Sequence, residues 1–155
     1  MKKYLTTLGS LLFLSVFVLT RCGGGRYENE ATASLSTQEK MYYEQYMVHG
    51  EQLYKNHCSN CHKEDGSGLG KLIPPLAGAD YMLEDVGRTL CLIKYGLEGE
   101  IIVNGQDYNQ KMPANEKLTD IEIAQIATYI YNSWGNTKGY VPVREASVYL
   151  DECKE

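Results

Sequence analysis

The 155-residue chain is short of several things, and each shortage excludes something. It has two phenylalanines, Phe13 and Phe17, and both lie in its first 21 residues. A domain built from the remainder must therefore pack with its tyrosines and with Trp134. It has no basic run, and fifteen Lys and Arg face twenty Asp and Glu for a formal charge of −5. Binding a nucleic-acid backbone depends on concentrated Lys and Arg and the counterions they release, so this balance argues against nucleic acid as a partner. The chain shows no internal repeat, and its length fits one domain of modest size, not a multidomain enzyme. Only one Cys-x-x-Cys pair is present, which removes the zinc ribbon with its two pairs. Five cysteines cannot all pair with one another, so at least one does something else.

What is present begins with an export signal over residues 1–21. Lys2 and Lys3 start it, and Tyr4 to Thr20 carries no charge and is dominated by Leu, Phe and Val. Its removal takes Lys2, Lys3 and Arg21 and no acid, which leaves twelve basic against twenty acidic residues, −8. Cys22 follows directly and precedes Gly23, Gly24 and Gly25, resembling the cleavage and lipidation site of bacterial lipoproteins. Arg21 departs from that pattern, where a small residue is normal, and an uncleaved membrane anchor is the alternative. Ordinary cleavage near Ala31, Thr32 and Ala33 lies too far beyond Leu19 to be favoured. Each outcome places an exported domain on the periplasmic side, in an oxidising compartment, and the first two hold it at a membrane. Residues 22–35, rich in Gly, Ser, Thr, Ala and Glu, read as a flexible tether, and 36–155 as the domain.

The domain reads as mostly helical. A Ser36–Glu39 capping box opens a helix whose apolar positions Tyr43, Tyr46, Met47, Gly50, Leu53 and Tyr54 recur every three or four residues, running into Cys58. From Lys63 to Ala79 the glycines Gly66, Gly68 and Gly70 and the Pro74-Pro75 pair predict a loop. Asp80 precedes a second helix with Leu83, Val86, Leu90 and Ile93 on one face and Gly96 as its stop. Ile101 to Val103 meets Asn104-Gly105, which predicts a small hairpin over 101–108. Thr119 and Glu122 form another capping box, and Ile123, Ile126, Ala127, Ile130 and Trp134 make the stripe of a third helix. In the tail, from Tyr140 to Glu155, only Pro142 is placed, at a turn or extended position.

The string CSNCH, Cys58 to His62, is the c-type haem attachment pattern. Two thiols separated by two residues at a helix end can each add to one vinyl group of the same porphyrin. His62 then sits under the iron as an axial ligand. A redox disulfide would be expected in a βαβ context, whereas helices and loops surround this pair. A covalently held macrocycle also fills the core of a small exported domain with apolar surface.

With these residues the chain resembles the class I cytochromes c, in particular the bacterial single-haem domains. The resemblance covers roughly Tyr46 to Trp134. It rests on LYKNHCSNCH, GSGLGKLIPPLAG, NGQDYNQKMP and LTDIEIAQIATYIYNSWG, standing in family order. It implies an all-α cytochrome c fold, three main helices around one haem c. It further implies that Met112, before Pro113 and fifty positions after His62, is the second axial ligand. Met41, Met47 and Met82 sit in or beside helices, where packing is the simpler role. His57 adjoins the attachment on the proximal side, and His49 reads as a packing or surface histidine. The family's proline carbonyl that accepts from the proximal histidine falls on Pro74, with Pro75 as the alternative. The resemblance also implies a crossing of Gly50 and Tyr54 with Ile126, Ala127 and Ile130, where small residues permit close approach. Tyr108 and Trp134 could donate to haem propionates or serve as buried aromatic packing.

Cys91 and Cys153 remain, and in an oxidising compartment a disulfide between them is the economical reading, with two unpaired buried thiols as the alternative. Lys55, Lys63, Lys71 and Lys111 could form a basic rim round the haem edge or an ordinary solvated mixture with Glu64, Asp65 and Asp107. The function implied is electron carriage, from a quinol-oxidising respiratory complex to a terminal oxidase or reductase, with no substrate transformed. The alternatives are a cytochrome subunit of a dehydrogenase or nitrite reductase, or a haem peroxidase or gas-binding domain, which needs a free sixth position.

Overall fold

A computed structural model of the protein describes residues 27–153. The export segment 1–21 and Cys22 lie outside the described residues. Within them the chain forms α1 (Thr37–His57), α2 (Ser59–His62), α3 (Asp80–Glu84), α4 (Val86–Tyr95), β1 (Ile101–Val103), β2 (Gln106–Tyr108), α5 (Asp120–Tyr131) and α6 (Val143–Glu152). The fold is mostly helical, as the resemblance implies, and carries one small antiparallel sheet among the described residues.

The frame is the crossing of α1 and α5. Each helix starts where a side chain satisfies backbone groups that have no partner inside the helix. Ser36 N–H donates to Glu39 Oε2 at 2.9 Å, and Glu39 N–H returns a bond to Ser36 Oγ at 3.3 Å. Thr119 N–H donates to Glu122 Oε2 at 2.8 Å. Tyr43, Tyr46, Met47, Gly50 and Tyr54 are buried on α1, and Ile123, Ile126, Ala127 and Ile130 on α5. Gly50 sits against the backbone of Gln125, and an added Cβ would also meet Tyr129 Cβ at 2.8 Å, so only glycine admits this approach. The crossing thus lies at Gln125 and Tyr129, with the Tyr54 ring tilted against those of Tyr129 and Trp134. That aromatic group does the packing that phenylalanines do elsewhere.

The hairpin forms as its turn pair predicts. Val103 faces Gln106 across Asn104 and Gly105, whose φ values of 51° and 75° suit a tight two-residue turn.

Three expectations are corrected, and in the tail Pro142 holds the extended conformation expected of it. The single second helix is broken into α3 and α4, because Asp85 adopts an extended conformation and its Oδ1 accepts from Arg88 N–H at 2.9 Å, capping a new helix. The third helix ends at Tyr131, and Trp134 lies beyond it with φ 56°. The tether read over 22–35 does not extend through its described part. Asn29 caps a 3-10 turn (Glu30–Thr32) and donates to Asn132 Oδ1 at 2.8 Å, Tyr43 OH donates to Tyr27 O at 2.7 Å, and Thr32 is buried. The tail folds as α6, with Pro142 at its N-cap and Ala146 and Leu150 buried against the core.

Candidate haem site

The Cys58–His62 segment is built by a change of helix. Cys58 closes α1, its N–H donating to Tyr54 O at 2.8 Å, and leaves helical geometry at φ −122°. One further turn, α2, follows, in which Cys61 and His62 N–H both return to Cys58 O at 3.1 and 3.0 Å. Residues three and four apart share a helix face, and Cys58, Cys61 and His62 all line one cavity. Its other walls are apolar, including Leu92, Ile93, Leu97, Ile101, Val103 and Ile126. Met112, Pro74, Pro75, Tyr54 and Tyr108 line the same cavity.

His62 Nδ1 lies 3.1 Å from Pro74 O. A carbonyl only accepts, so Nδ1 carries the proton and Nε2 keeps its lone pair. Burial pushes the His62 pKa down, partly offset by the Pro74 bond. Burial thus favours the neutral ring, the form in which histidine ligates a metal. Burial, with a smaller contribution from Cys61, pushes the Cys58 thiol up to about 12. Both thiols are unpaired. Pro75 makes no comparable bond among the described residues.

The loop between His62 and α3 folds back on itself. Gly68 N–H donates to His62 O at 3.0 Å, and Leu76 and Ala77 N–H donate to Gly66 O at 2.7 and 3.1 Å. Gly68 has φ 70°, and a Cβ there would meet Pro74 O at 2.6 Å, so a side chain would displace the carbonyl that orients His62.

Met112 is placed differently. Its N–H and carbonyl pair with Leu97 at 2.9 and 3.0 Å. Asn115 N–H donates to Lys94 O at 3.0 Å, and Asn115 Nδ2 to Ile93 O at 3.2 Å, satisfying carbonyls in the last turn of α4. Of the other methionines, Met41 is exposed and Met47 is buried outside the cavity, while Met82 also lines it. His49 and His57 are exposed.

Cys91 and Cys153 are joined by a disulfide with Cα atoms 5.7 Å apart, an ordinary separation, tying α4 to the end of α6. Trp134 Nε1 donates to Glu64 O at 3.0 Å, which commits its one donor to the protein instead of to a propionate. Tyr108 OH lies 3.4 Å from Gly70 O. Of the four rim lysines, Lys55 pairs with Glu51 at 2.7 Å and Lys111 with Glu98 at 2.9 Å. Two residues went unnoticed in the sequence, Asn115 and Asn136. A lone asparagine beside a turn carries no pattern.

Two cysteines and a histidine on one turn, an apolar cavity and a soft thioether on a second segment fit a c-type haem and no other common cofactor. The description "Cytochrome c" is matched by a family model over residues 47–134, more than half of the chain. Cytochrome c-552 of Thermus thermophilus is 37% identical over 93 residues, which span 57% of this chain and 70% of that protein; in a second strain the share is 62%. The gluconate 2-dehydrogenase cytochrome c subunit of Pantoea cypripedii is 34% identical over 110 residues, 66% of this chain and 24% of that subunit. The alcohol dehydrogenase (quinone) cytochrome c subunit of Gluconobacter oxydans is 30% identical over 90 residues, 56% of this chain and 18% of that subunit. The chain therefore spans less than a quarter of these dehydrogenase subunits. It belongs to the cytochrome c family, whose members carry a covalently attached c-type haem and transfer electrons through it. Among the described residues no helix is long and apolar enough to cross a membrane.

Proposed function

We propose that this protein is an exported single-haem electron carrier, held at the membrane through Cys22 or an uncleaved N-terminal anchor. Its haem is bound by thioethers from Cys58 and Cys61 and ligated by His62 and Met112. The observation that carries the reading is that the two thiols, the neutral imidazole and the thioether of Met112 line one apolar cavity. When bound, the haem supplies one-electron chemistry, its iron alternating between ferric and ferrous states. The protein's residues do the rest. Pro74 O holds the His62 ring and raises its basicity, and the apolar walls keep water from the metal. A neutral thioether ligand beside the imidazole would favour the ferrous state and a high potential, suited to accepting electrons from a quinol-oxidising complex and passing them to a terminal oxidase or reductase. No substrate is transformed in this scheme.

A second reading, a cytochrome subunit of a dehydrogenase, is favoured by the resemblance to the gluconate and alcohol dehydrogenase subunits. Mass analysis of the exported protein tests the site. One haem on the Cys58–His62 peptide, with a lipid on Cys22, is expected; haem held without thioether bonds would refute the attachment. Assay of reduction by purified membrane complexes separates the two functions, since a free carrier is reduced by a quinol-oxidising complex and a dedicated subunit by its own dehydrogenase.

A further inference from the structure

The turn that follows α5 grips both ends of the loop that orients His62. Asn136 is 5% exposed, and its side chain makes three hydrogen bonds. Its Oδ1 accepts from Gly78 N–H at 2.9 Å, and its Nδ2 donates to Leu76 O at 3.0 Å and to Ile130 O at 2.8 Å. One amide thus ties the end of α5 to the segment directly after Pro74 and Pro75. Trp134 in the same turn holds the other end. It donates to Glu64 O at 3.0 Å, and its ring lies on Gly66, where a Cβ would meet ring carbon Cδ2 at 2.7 Å. Between these two points lies Pro74 O, the acceptor for His62 Nδ1.

The neighbouring Asn132 provides the contrast. It is bonded as fully, to Asn29, Thr128 and Gly139, and none of these belongs to the loop. Two asparagines of one turn therefore hold two different parts of the molecule.

We propose that Asn136 is a positioning residue for the proximal histidine: it fixes the Leu76–Gly78 segment so that Pro74 O stays within hydrogen-bond reach of His62 Nδ1–H. The proposal rests on the reading of His62 as iron ligand. With the bond kept, the imidazole has part of an anionic character and stabilises ferric iron. With Pro74 O displaced, the histidine donates less strongly and the ferrous form gains.

The test compares the haem-loaded Asn136→Leu and Asn136→Ala proteins with Asn132→Ala. Both Asn136 variants lose all three hydrogen bonds and neither adds a charge near the haem; Leu also keeps most of the side-chain volume. The expected result is a ferrous-to-ferric ratio raised about tenfold at fixed potential in the Asn136 variants, with faster exchange of the His62 ring N–H. Tenfold is about 59 mV for a one-electron couple. Asn132→Ala should lower the melting temperature and leave both readouts unchanged. An unchanged potential in the Asn136 variants, or the same shift in Asn132→Ala, would overturn the proposal. A third measurement needs no variant. In the parent protein under rising guanidinium, the Gly78 amide and the His62 ring N–H should lose protection together, and a ring N–H that exchanges while Gly78 stays protected would overturn it. A parent spectrum without histidine–iron ligation would instead overturn the reading of the site itself, and the proposal with it.

Discussion

His62 lies five residues beyond the end of α1 and is placed by a single turn of helix that starts at Cys58, whereas Met112 lies fifty residues on and belongs to no helix. The proximal group is tied to its cavity by local backbone bonds, by a loop folded against it and by the Trp134–Asn136 turn. The distal group is tied by a backbone pair to Leu97 and by Asn115 at the end of α4, and α4 is itself fastened by Cys91 to the tail. The bonds from Cys58 to Lys63 close small loops at low entropic cost, whereas the Trp134 and Asn136 ties to the proximal loop span more of the chain than the Leu97–Met112 pair does. Under the proposed ligation the distal side is expected to loosen first, because Met112 is held by one backbone pair and by Asn115, whereas His62 shares its peptide with both attachment cysteines.

The largest expected effect is on the proximal side. Replacing Cys58 and Cys61 together by Ser should abolish covalent haem retention, measured as haem lost on denaturation, because no other unpaired thiol lines the cavity among the described residues. Next comes the disulfide. Closing 62 residues of chain, it should contribute about 2–4 kcal/mol, so Cys91→Ser with Cys153→Ser should lower the unfolding free energy by that amount in a denaturant titration. If the two sides differ as described, the same variant should also speed displacement of Met112 by added imidazole, with haem retention unchanged. A third, smaller effect is expected for Gly96→Ala. Gly96 has φ 75° and lies against the carbonyl of Met112, and a Cβ added there would stand 2.9 Å from the Pro113 carbonyl carbon. Alanine should therefore cost about 1–3 kcal/mol and weaken Met112 ligation in absorption spectra. Equal weakening of His62 ligation would break the comparison.

The smallest effect should not discriminate between the sides at all. Hydrogen bonds from Ser36 and Thr119 hold Glu39 and Glu122 below the usual carboxylate range. Their contribution is present above the ordinary Glu value of 4.5 and is lost as pH falls through the depressed folded values. Acid should thus fray α1 and α5, seen as reduced helical circular dichroism, and loosen both ligands alike.

How much of this was legible follows the same division. CSNCH, the glycine-proline loop, both capping boxes and the Asn104-Gly105 hairpin are patterns of adjacent residues, and each forms where the sequence places it. What escaped depends on tertiary partners. The break at Asp85 needed a cap to outcompete a continuing apolar face. The packing of Tyr27 and Asn29 needed Tyr43 and Asn132 as neighbours. α6 carried its own signal in Pro142, Ala146 and Leu150, but spacing alone could not show the surface it covers. Asn115 and Asn136 act through carbonyls far along the chain, and no local pattern reports that.

Carbon monoxide binding to the reduced protein at neutral pH, measured beside its Met112→Ala variant, tests the central claim most directly. The parent should take up little, because Met112 fills the sixth position, and the variant should bind rapidly and stoichiometrically. Rapid stoichiometric binding by the parent would contradict the account and point to a haem with an open site.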